Sequence, residues 1–323
     1  MLISVGQPIK FHFTEQKMGS PFNLVFVEKD SIQAIKISKE CFLLVDSLVS
    51  ILSDYDSSSE LSKLNANAGI GPIQVSPLLL EILLLSKSAY EKSGHSFDIS
   101  IGPLSALWRN ARKTKSFPKE QDVLLAKKLV GFENIKIDSL SHTVELTLKG
   151  MRLDLGGIAK GYVADQVLQL LNKNSVFSAL VDAGGDISMS NAPLLTKGWL
   201  IGINEPEQRE KLLATKIQIA NKAVATSGDV YQYLFHNGKK YAHITNPLTG
   251  YGVTYQRNVT IIAKNGVTAD WLATACIILP IAEALDIVKK EQAEVLISTL
   301  VNKKIKIIKS KGFDQFLFQP KQD

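Results

Sequence analysis

Residues 153–161 read Leu153-Asp154-Leu155-Gly156-Gly157-Ile158-Ala159-Lys160-Gly161. Strand-like segments at 144–148 and 178–181 flank a run with helical apolar spacing at about 159–171. Backbone N–H groups at a helix start have no partners within the helix and bind anions well, and Lys160 adds a cation beside them. A tight turn that needs glycine for steric reasons is the competing interpretation. The spacing matches neither the GxGxxG nor the P-loop fingerprint. This segment therefore predicts a strand–turn–helix unit whose turn is a candidate phosphate site.

Outward from this unit, strands and helices alternate irregularly along the chain. Helices are predicted at 31–54, from Ser76-Pro77 toward Gly94, at 159–171, and from a Thr268 cap to about Leu279. Strands are predicted at 23–28, 144–148, 178–181, 199–203, 241–245, 258–263 and 294–299. Such irregular alternation favours a mixed α/β or α+β fold over a strictly doubly wound sheet. Because no linker or composition shift divides the chain, we expect one unit with two lobes around a cleft.

The composition is that of a globular protein, with 45% hydrophobic and 21% charged residues and a mild formal charge of +6. The densest basic run, 303–311, contains the alternation Lys304-Ile305-Lys306-Ile307. That alternation predicts a half-buried edge strand protected by lysines, not the basic stripe of a nucleic-acid reader. We therefore expect no nucleic-acid partner.

Two cysteines, Cys41 and Cys276, lie in apolar stretches, which predicts buried free thiols and no zinc site. No segment is long and apolar enough to span a membrane. Residues 2–7 are compatible with the end of a signal peptide whose front is missing.

Three polar side chains are candidates for chemistry. His243 lies at a predicted strand end beside a turn, which suits a general base, although a packed or surface histidine is the alternative. Asp270 and Thr274 are four apart on a predicted helix and share one face. With a backbone carbonyl they would form a hard-oxygen site for Mg²⁺. The alternative is an Asp placed near a helix start for dipole reasons.

Small residues also cluster at 181–186, Val181-Asp182-Ala183-Gly184-Gly185-Asp186, and at 225–229, Ala225-Thr226-Ser227-Gly228-Asp229. The first allows close approach of a ligand or of another backbone, and ordinary turn chemistry explains it equally well. The second offers hydroxyls and amides to a phosphate. Neither contains a GxSxG elbow, so a serine hydrolase is not expected.

Eight short blocks occur in a fixed order, and together they resemble the ApbE flavin-transferase family from about residue 18 to residue 279. The order, more than any single block, makes the resemblance specific. The blocks are MGSPF (18–22), SELSKLN (59–65), GHSFD (94–98), LDLGGIAKG (153–161), DAGGD (182–186), ATSGD (225–229), HITNPLTG (243–250) and ADWLATA (269–275).

The resemblance implies an ApbE-like, T-fold-like domain over 18–323, with two lobes around an FAD cleft, preceded by an N-terminal extension at 1–17. It implies a transferase that uses Mg²⁺ to move FMN from FAD to a Thr or Ser hydroxyl of an acceptor flavoprotein, with release of AMP. A Mg²⁺-dependent FAD pyrophosphatase and a non-catalytic FAD-binding protein are the alternatives.

The resemblance also implies residue roles. Asp270 and Thr274 match metal ligands, with the carbonyl of Gly157 as a third, and His243 matches the candidate base. Asn65 matches a position tied to whether family members process FAD or merely hold it. The positions that match FAD contacts, several of them through backbone atoms, are Met18, Tyr55, Ser96, Phe97, Asp98, Asp154, Lys160 and Ile244.

The block at 243–250 departs from the family pattern, because Asn246 replaces an Asp and Leu248 replaces a basic residue. An Asn still caps a turn, so we expect tuning of the acceptor groove and not loss of activity. The resemblance further implies a membrane-linked redox subunit as acceptor and an exported, periplasmic or cell-envelope location, with a cytoplasmic one left open. No acceptor motif occurs in this chain, so self-modification is not expected.

Overall fold

The computed structural model describes residues 7–205, 208–228, 233–302 and 304–319. The expected signal-peptide segment (apart from Gln7), Asp229 of the 225–229 cluster and Lys303 of the basic run lie outside these residues. The helices are α1 (Ser31–Leu52), α2 (Glu60–Ala66), α3 (Pro77–Lys92), α4 (Gly102–Thr114), α5 (Glu120–Lys127), α6 (Ala159–Lys173), α7 (Gly266–Ile278) and α8 (Ile281–Lys290). Two short 3₁₀ turns lie at Phe132–Asn134 and Phe313–Phe316.

The strands are β1 (Ile9–Lys17), β2 (Ser20–Glu28), β3 (Ile73–Gln74), β4 (Ile135–Asp138), β5 (Thr143–Leu146), β6 (Ala179–Ala183), β7 (Ile187–Met189), β8 (Trp199–Glu205), β9 (Gln208–Ile219), β10 (Ala223–Gly228), β11 (Tyr233–His236), β12 (Lys239–Ala242), β13 (Arg257–Ala263), β14 (Glu294–Val301) and β15 (Lys304–Lys309).

An eight-stranded sheet with the order β1-β2-β6-β7-β10-β13-β14-β15 forms the centre of the described structure. Every neighbouring pair in it is antiparallel. The predicted mixed α/β or α+β class is therefore confirmed, with the sheet in its antiparallel form. Residues 9–17 of the expected N-terminal extension form β1, which pairs with β2 from Ile9 opposite Glu28 to Lys17 opposite Ser20.

One face of the sheet is covered by helices and the other by the β8–β9 ribbon. Side chains along each strand point to the two faces in turn, as the pleat requires. On β13, Val259 and Ile261 join the core under α1, α6 and α7, whereas Ile262 joins a smaller core under the β8–β9 ribbon. Helices α6 and α7 pack side by side on the sheet, α6 against β6 and β7 and α7 against β10 and β13. Every residue of α7 except Thr274 is buried. A helix buried on nearly every side is typical of a central position.

Helices α6 and α7 cross at two glycines. A Cβ on Gly161 would lie 2.2 Å from the carbonyl oxygen of Gly266, so neither position accommodates a side chain without movement. The carboxylate of Asp165 accepts hydrogen bonds from the N–H groups of Gly266 at 2.8 Å and Val267 at 3.0 Å. A carboxylate on α6 thus satisfies the exposed N–H groups that start α7. This crossing fixes where α7 presents its side chains.

Two local predictions are wrong. The cap of α7 is Asn265, whose side chain accepts from the Thr268 N–H at 2.9 Å, so Thr268 is the third helical residue and not the cap. The predicted strand 241–245 ends at Ala242, because the chain turns at His243 to form an isolated bridge between Thr245 and Gly252. Asn265 and Thr268 are both residue types that cap helices, so the sequence alone did not show which of them is the cap.

The edge-strand prediction for 304–307 holds in part. Strand β15 is the last strand of the central sheet, as predicted. It is not half-buried: Ile305 and Ile307 are 36% and 41% exposed. Ile308 is the residue of β15 that packs against the main core. The Lys–Ile alternation therefore predicts an edge strand correctly, but most apolar side chains of this strand are exposed and do not pack on the core.

The predicted start of α3 and the predicted burial of both cysteines agree with the structure. Ser76 caps α3 with Pro77 in its first turn, and Cys41 and Cys276 are buried free thiols. None of the helices in the described ranges combines the length and the apolar character that crossing a bilayer would require. Beside the central sheet, α4 and α5 pack with the β11–β12 hairpin around Trp108, whose indole N–H donates to the carbonyl of Gly250 at 2.8 Å.

Candidate functional site

The loop at 153–158 is fixed by two long-range contacts. The side chain of Asn65 donates to the carbonyl of Leu153 at 3.0 Å and accepts from its N–H at 2.7 Å, as a paired strand would. The N–H of Asp154 donates to the carbonyl of Ile99 at 2.8 Å, and its carboxylate accepts from the Gly156 N–H at 2.8 Å. The loop therefore enters α6 in one defined conformation.

The three expected metal-binding residues lie near the start of α6, with Gly157 against Thr274 and Asp270, one helical turn before Thr274, against Gly161. A Cβ on Gly157 would lie 2.9 Å from Thr274 Oγ1, so Gly157 and Thr274 are in direct contact. One carboxylate oxygen of Asp270 accepts from the Gly161 N–H at 3.0 Å. Thr274 is the one partly exposed residue of α7 among its described residues. It is therefore the α7 side chain that is accessible from the loop at 153–158.

The donor set fits a hard divalent cation. Asp270 is 6% exposed, and burial raises its pKa to about 7. A cation would favour the charged form of such a carboxylate. No group of three or more His, Cys, Asp or Glu side chains able to hold a metal occurs in the described part of the chain. One carboxylate with a hydroxyl and a carbonyl suits Mg²⁺, which keeps waters and binds substrate phosphates instead of filling a protein cage.

A second group of charges adjoins Asp270. Burial raises the pKa of Asp186 well above its usual value, the charge of Asp270 adds to this effect, and Lys160 opposes it. A Cβ on Gly184 would lie 3.4 Å from Lys160 Nζ. The glycine turn at 184–185 therefore brings the backbone up to the Lys160 ammonium. The sequence interpretation treated the 181–186 block as a turn or a close approach and missed Asp186 as a charged neighbour of the site.

Tyr55 is 77% exposed, and Arg109 packs against one face of its ring. The Arg109 guanidinium lies 4.1 Å from the centre of the Tyr55 ring. It donates twice to one oxygen of Asp54, at 3.1 Å each, and lies 3.4 Å from Asp154. Sequence reasoning missed Arg109 and Asp54, since no local pattern links residues so far apart. The arrangement presents an aromatic face to solvent, and Arg109 links it to the loop at 153–158.

The segment 96–98 is buried. The Ser96 hydroxyl donates to the carbonyl of Ser93 at 2.9 Å, and the N–H of Phe97 donates to the Ser93 hydroxyl at 3.0 Å. Asp98 accepts from the N–H and hydroxyl of Ser100, and burial raises its pKa to about 6. Since these side chains are enclosed, a ligand at 96–98 would meet mainly backbone atoms.

Phe97 joins this segment to the metal-binding residues. Its ring lies 6.4 Å from the ring of Trp271, centre to centre, and its Cε2 would lie 3.2 Å from a Cβ on Gly157. The loop at 153–158 is thus packed between Phe97 and α7.

His243 is half-buried and follows directly after β12. In the turn after it, the Asn246 side chain accepts from the Leu248 N–H at 2.8 Å, which is the capping role expected of the Asp it replaces. Leu248 is exposed. Met18, at the β1–β2 turn, and Ile244 pack on the edge of the main core, and the contacts described above do not join them to the α7 side chains.

Known proteins share both the sequence blocks and the fold. The ApbE family model matches residues 18–297. An FAD:protein FMN transferase of Treponema pallidum is 31% identical over 269 residues, 79% of this chain and 74% of that protein. One of Haemophilus influenzae is 28% identical over 287 residues, 86% of this chain and 83% of that protein.

Two solved structures resemble the whole fold. The ApbE protein of Thermotoga maritima has a TM-score of 0.86 at 26% identity and covers 96% of this chain and 100% of its own. Flavin transferase ApbE of Vibrio cholerae has a TM-score of 0.85 at 24% identity with the same coverage, a likeness that concerns the fold alone. Since the family model spans most of the chain and includes every block quoted above, this protein belongs to the ApbE family.

Proposed function

We propose that this chain is a Mg²⁺-dependent FAD:protein FMN transferase, which moves FMN from FAD to a Thr or Ser hydroxyl of an acceptor protein and releases AMP. The placement of Gly157, Asp270 and Thr274 near the start of α6 supports this most directly. Membership of the ApbE family, whose relatives carry this activity in their names, supports it independently.

Asp270, the Thr274 hydroxyl and the Gly157 carbonyl would hold the Mg²⁺, with waters and diphosphate oxygens completing its ligands. When bound, the cation neutralises charge on the diphosphate during phosphoryl transfer.

The protein's own groups bind and orient FAD. Lys160 adds a fixed positive charge beside the α6 entry, where a diphosphate carries its negative charge. The Tyr55 ring, held by Arg109, offers a flat surface on which one of the two ring systems of FAD can stack. Backbone groups of 96–98 complete the site, because the side chains there are buried.

His243 takes the proton of the acceptor hydroxyl, which is otherwise a weak nucleophile. The hydroxyl oxygen forms a bond to the FMN-side phosphorus, and the bond from that phosphorus to the bridging oxygen of the diphosphate breaks. AMP leaves with the bridging oxygen, and the acceptor carries FMN as a phosphoester.

The experiment is mass spectrometry of a Thr-containing acceptor protein after incubation with this chain, FAD and Mg²⁺. We expect a mass gain equal to an FMN phosphoester, abolished by EDTA. Free FMN and AMP without a mass gain would replace the transferase with a pyrophosphatase. FAD that stays bound and intact would make the chain a flavin-binding protein.

Two variants test the residue roles. Asp270→Asn keeps an acceptor for the Gly161 N–H but removes the charge, so Mg²⁺-dependent transfer should fall by at least about a hundredfold. Asp286→Asn, at an exposed position on α8, is the matched control. His243→Ala should retain FAD binding and lose transfer by about 10²–10⁴-fold. Full transfer by His243→Ala would remove His243 from the mechanism.

The proposal includes a membrane-linked redox subunit as acceptor and an exported or cell-envelope location, both implied by the family resemblance. Cell fractionation with detection of this chain tests the location. Recovery of the chain in the cytoplasmic fraction alone would contradict it.

A further inference from the structure

Positive charge is concentrated in one part of the molecule. Residues 109–128 contain seven Arg and Lys against two Asp and Glu, and the hairpin at 233–242 adds Lys239 and Lys240 without an acidic residue. These two segments, here called the basic region, carry a formal +7, whereas the whole chain carries +6. The rest of the chain is therefore close to neutral. A charge distribution this uneven creates a local positive potential.

The basic region is one packed unit beside the His243 turn. The ring of Phe117, after α4, stacks on His236 of the hairpin with centres 3.9 Å apart. Trp108 of α4 donates to the carbonyl of Gly250, and a Cβ on Gly250 would lie 2.8 Å from Val123 of α5. These contacts attach both segments to the far end of the 243–250 block. The hairpin itself ends at Ala242, so one end of the basic region adjoins His243, the candidate base.

Within the described part of the chain, no carboxylate is paired with Arg112 of this region. Its guanidinium is half-buried, and its Nη1 has no hydrogen-bond partner among the described residues. Burial and the neighbouring Arg109 both lower the Arg112 pKa. Arg109, one turn earlier on α4, is by contrast paired with Asp54. An anion supplied from outside would compensate the Arg112 charge.

Large apolar side chains are exposed in and beside the basic region. Phe235 is 63% exposed, Leu248 58%, and Leu124 and Leu125 of α5 more than half. Tyr233 lies next to Phe235 on the hairpin, with the Lys240 ammonium 4.5 Å from its ring centre. Aromatic and apolar groups among charges of one sign are typical of a protein-binding surface. Bare lysines alone would fit a small anion equally well.

We propose that the basic region is the docking surface for an acidic segment of the acceptor protein, which presents its hydroxyl to His243. The identity of the docked segment rests on the proposed function. The charge of the surface selects acidic chains and raises the association rate, and the exposed apolar groups hold the segment once it arrives. FAD is expected at the Arg109 end of the region, where Arg109 contacts Tyr55 and Asp154, but the lysines at 113–128 and 239–240 are not among its expected contacts.

The test measures binding separately from chemistry. The probe is a fluorescent 20-residue peptide in which a central Thr is flanked by Asp and Glu, compared with the same peptide carrying Asn and Gln. Anisotropy with wild-type protein should show at least about tenfold tighter binding of the acidic peptide at low salt, with the preference lost at about 0.5 M salt. Equal binding of the two peptides overturns the proposal.

Charge reversal locates the surface. Lys113→Glu with Lys239→Glu, both exposed, should weaken acidic-peptide binding about tenfold. The matched control reverses Lys36 and Lys39, exposed on α1, and should change binding less than about twofold. Thermal unfolding checks that both double variants fold. An equal effect in both, or a parallel loss of FAD binding in the first, overturns the assignment.

Two further results separate this inference from the proposed function. Peptide binding as expected without FMN transfer would remove the transferase and leave the docking surface. Transfer of FMN to the neutral peptide as fast as to the acidic one would keep the transferase and remove the docking surface. Vesicles containing about 30% phosphatidylserine serve as a competing target, and binding to them but not to the acidic peptide would overturn the proposal in favour of a lipid-binding surface.

Discussion

Replacing Asn65 by Ala should destabilise the protein far more than a half-buried polar residue usually does. The Asn65 amide makes two hydrogen bonds to the backbone of Leu153, one to its carbonyl and one from its N–H. Leu153 is fully buried, so water cannot replace either bond. Each unsatisfied buried group costs about 1–3 kcal/mol. With two such groups, the free energy of unfolding should fall by about 2–6 kcal/mol, measured by urea denaturation.

Asn67→Ala is the matched control from the end of the same helix. Its side chain makes one part-buried bond, to the carbonyl of Gly71 at 2.7 Å, so its loss should cost about 1 kcal/mol. Asn65→Asp is a sharper probe, since it keeps the acceptor for the Leu153 N–H and loses the donor to its carbonyl. If Asn65→Ala cost no more than Asn67→Ala, the two-bond account of the loop would be refuted.

Two other perturbations follow from close packing and from burial. Gly161→Ala should lower the free energy of unfolding by about 1–3 kcal/mol and weaken Mg²⁺ binding in titration calorimetry, because the new Cβ would sit 2.2 Å from the Gly266 carbonyl oxygen and 2.9 Å from Asp270 Cβ. Asp98→Asn should stabilise the protein at pH 8 by up to about 3 kcal/mol and leave it unchanged at pH 4, as measured by urea denaturation.

The sign of the second effect follows from the raised pKa of Asp98. The folded protein holds the Asp98 proton up to about pH 6, whereas the unfolded chain releases it near 3.8. Stability from this group is complete below the lower value and is lost as pH rises through the higher one. Asn keeps the acceptor for Ser100 but has no proton to lose. A variant with the wild-type pH profile would contradict this account, as would a Gly161→Ala protein of unchanged stability and Mg²⁺ affinity.

The sequence predicted those features that depend on neighbours along the chain. The Ser76-Pro77 start of α3, the strand at Arg257–Ala263 and the burial of both cysteines were all predictable, because capping, pleat periodicity and apolar clustering act over a few residues. Asp270 and Thr274 share a helix for the same reason. The ordered blocks identified the family, because eight short blocks in one order along most of the chain are specific even where each block alone is ambiguous.

The tertiary structure decided what these local features face. Asn65 binds Leu153 across 88 residues of sequence, and Arg109 joins Asp54 across 55. Asp186 enters the electrostatics of Asp270 only because the glycine turn packs beside Lys160. Spacing along a chain does not encode such distances, which depend on how layers stack and where helices cross. The sequence by itself determined several of the elements and the family, because capping, periodicity and block order act along the chain. The packing of α6 on α7 and of both on the sheet determined the candidate site.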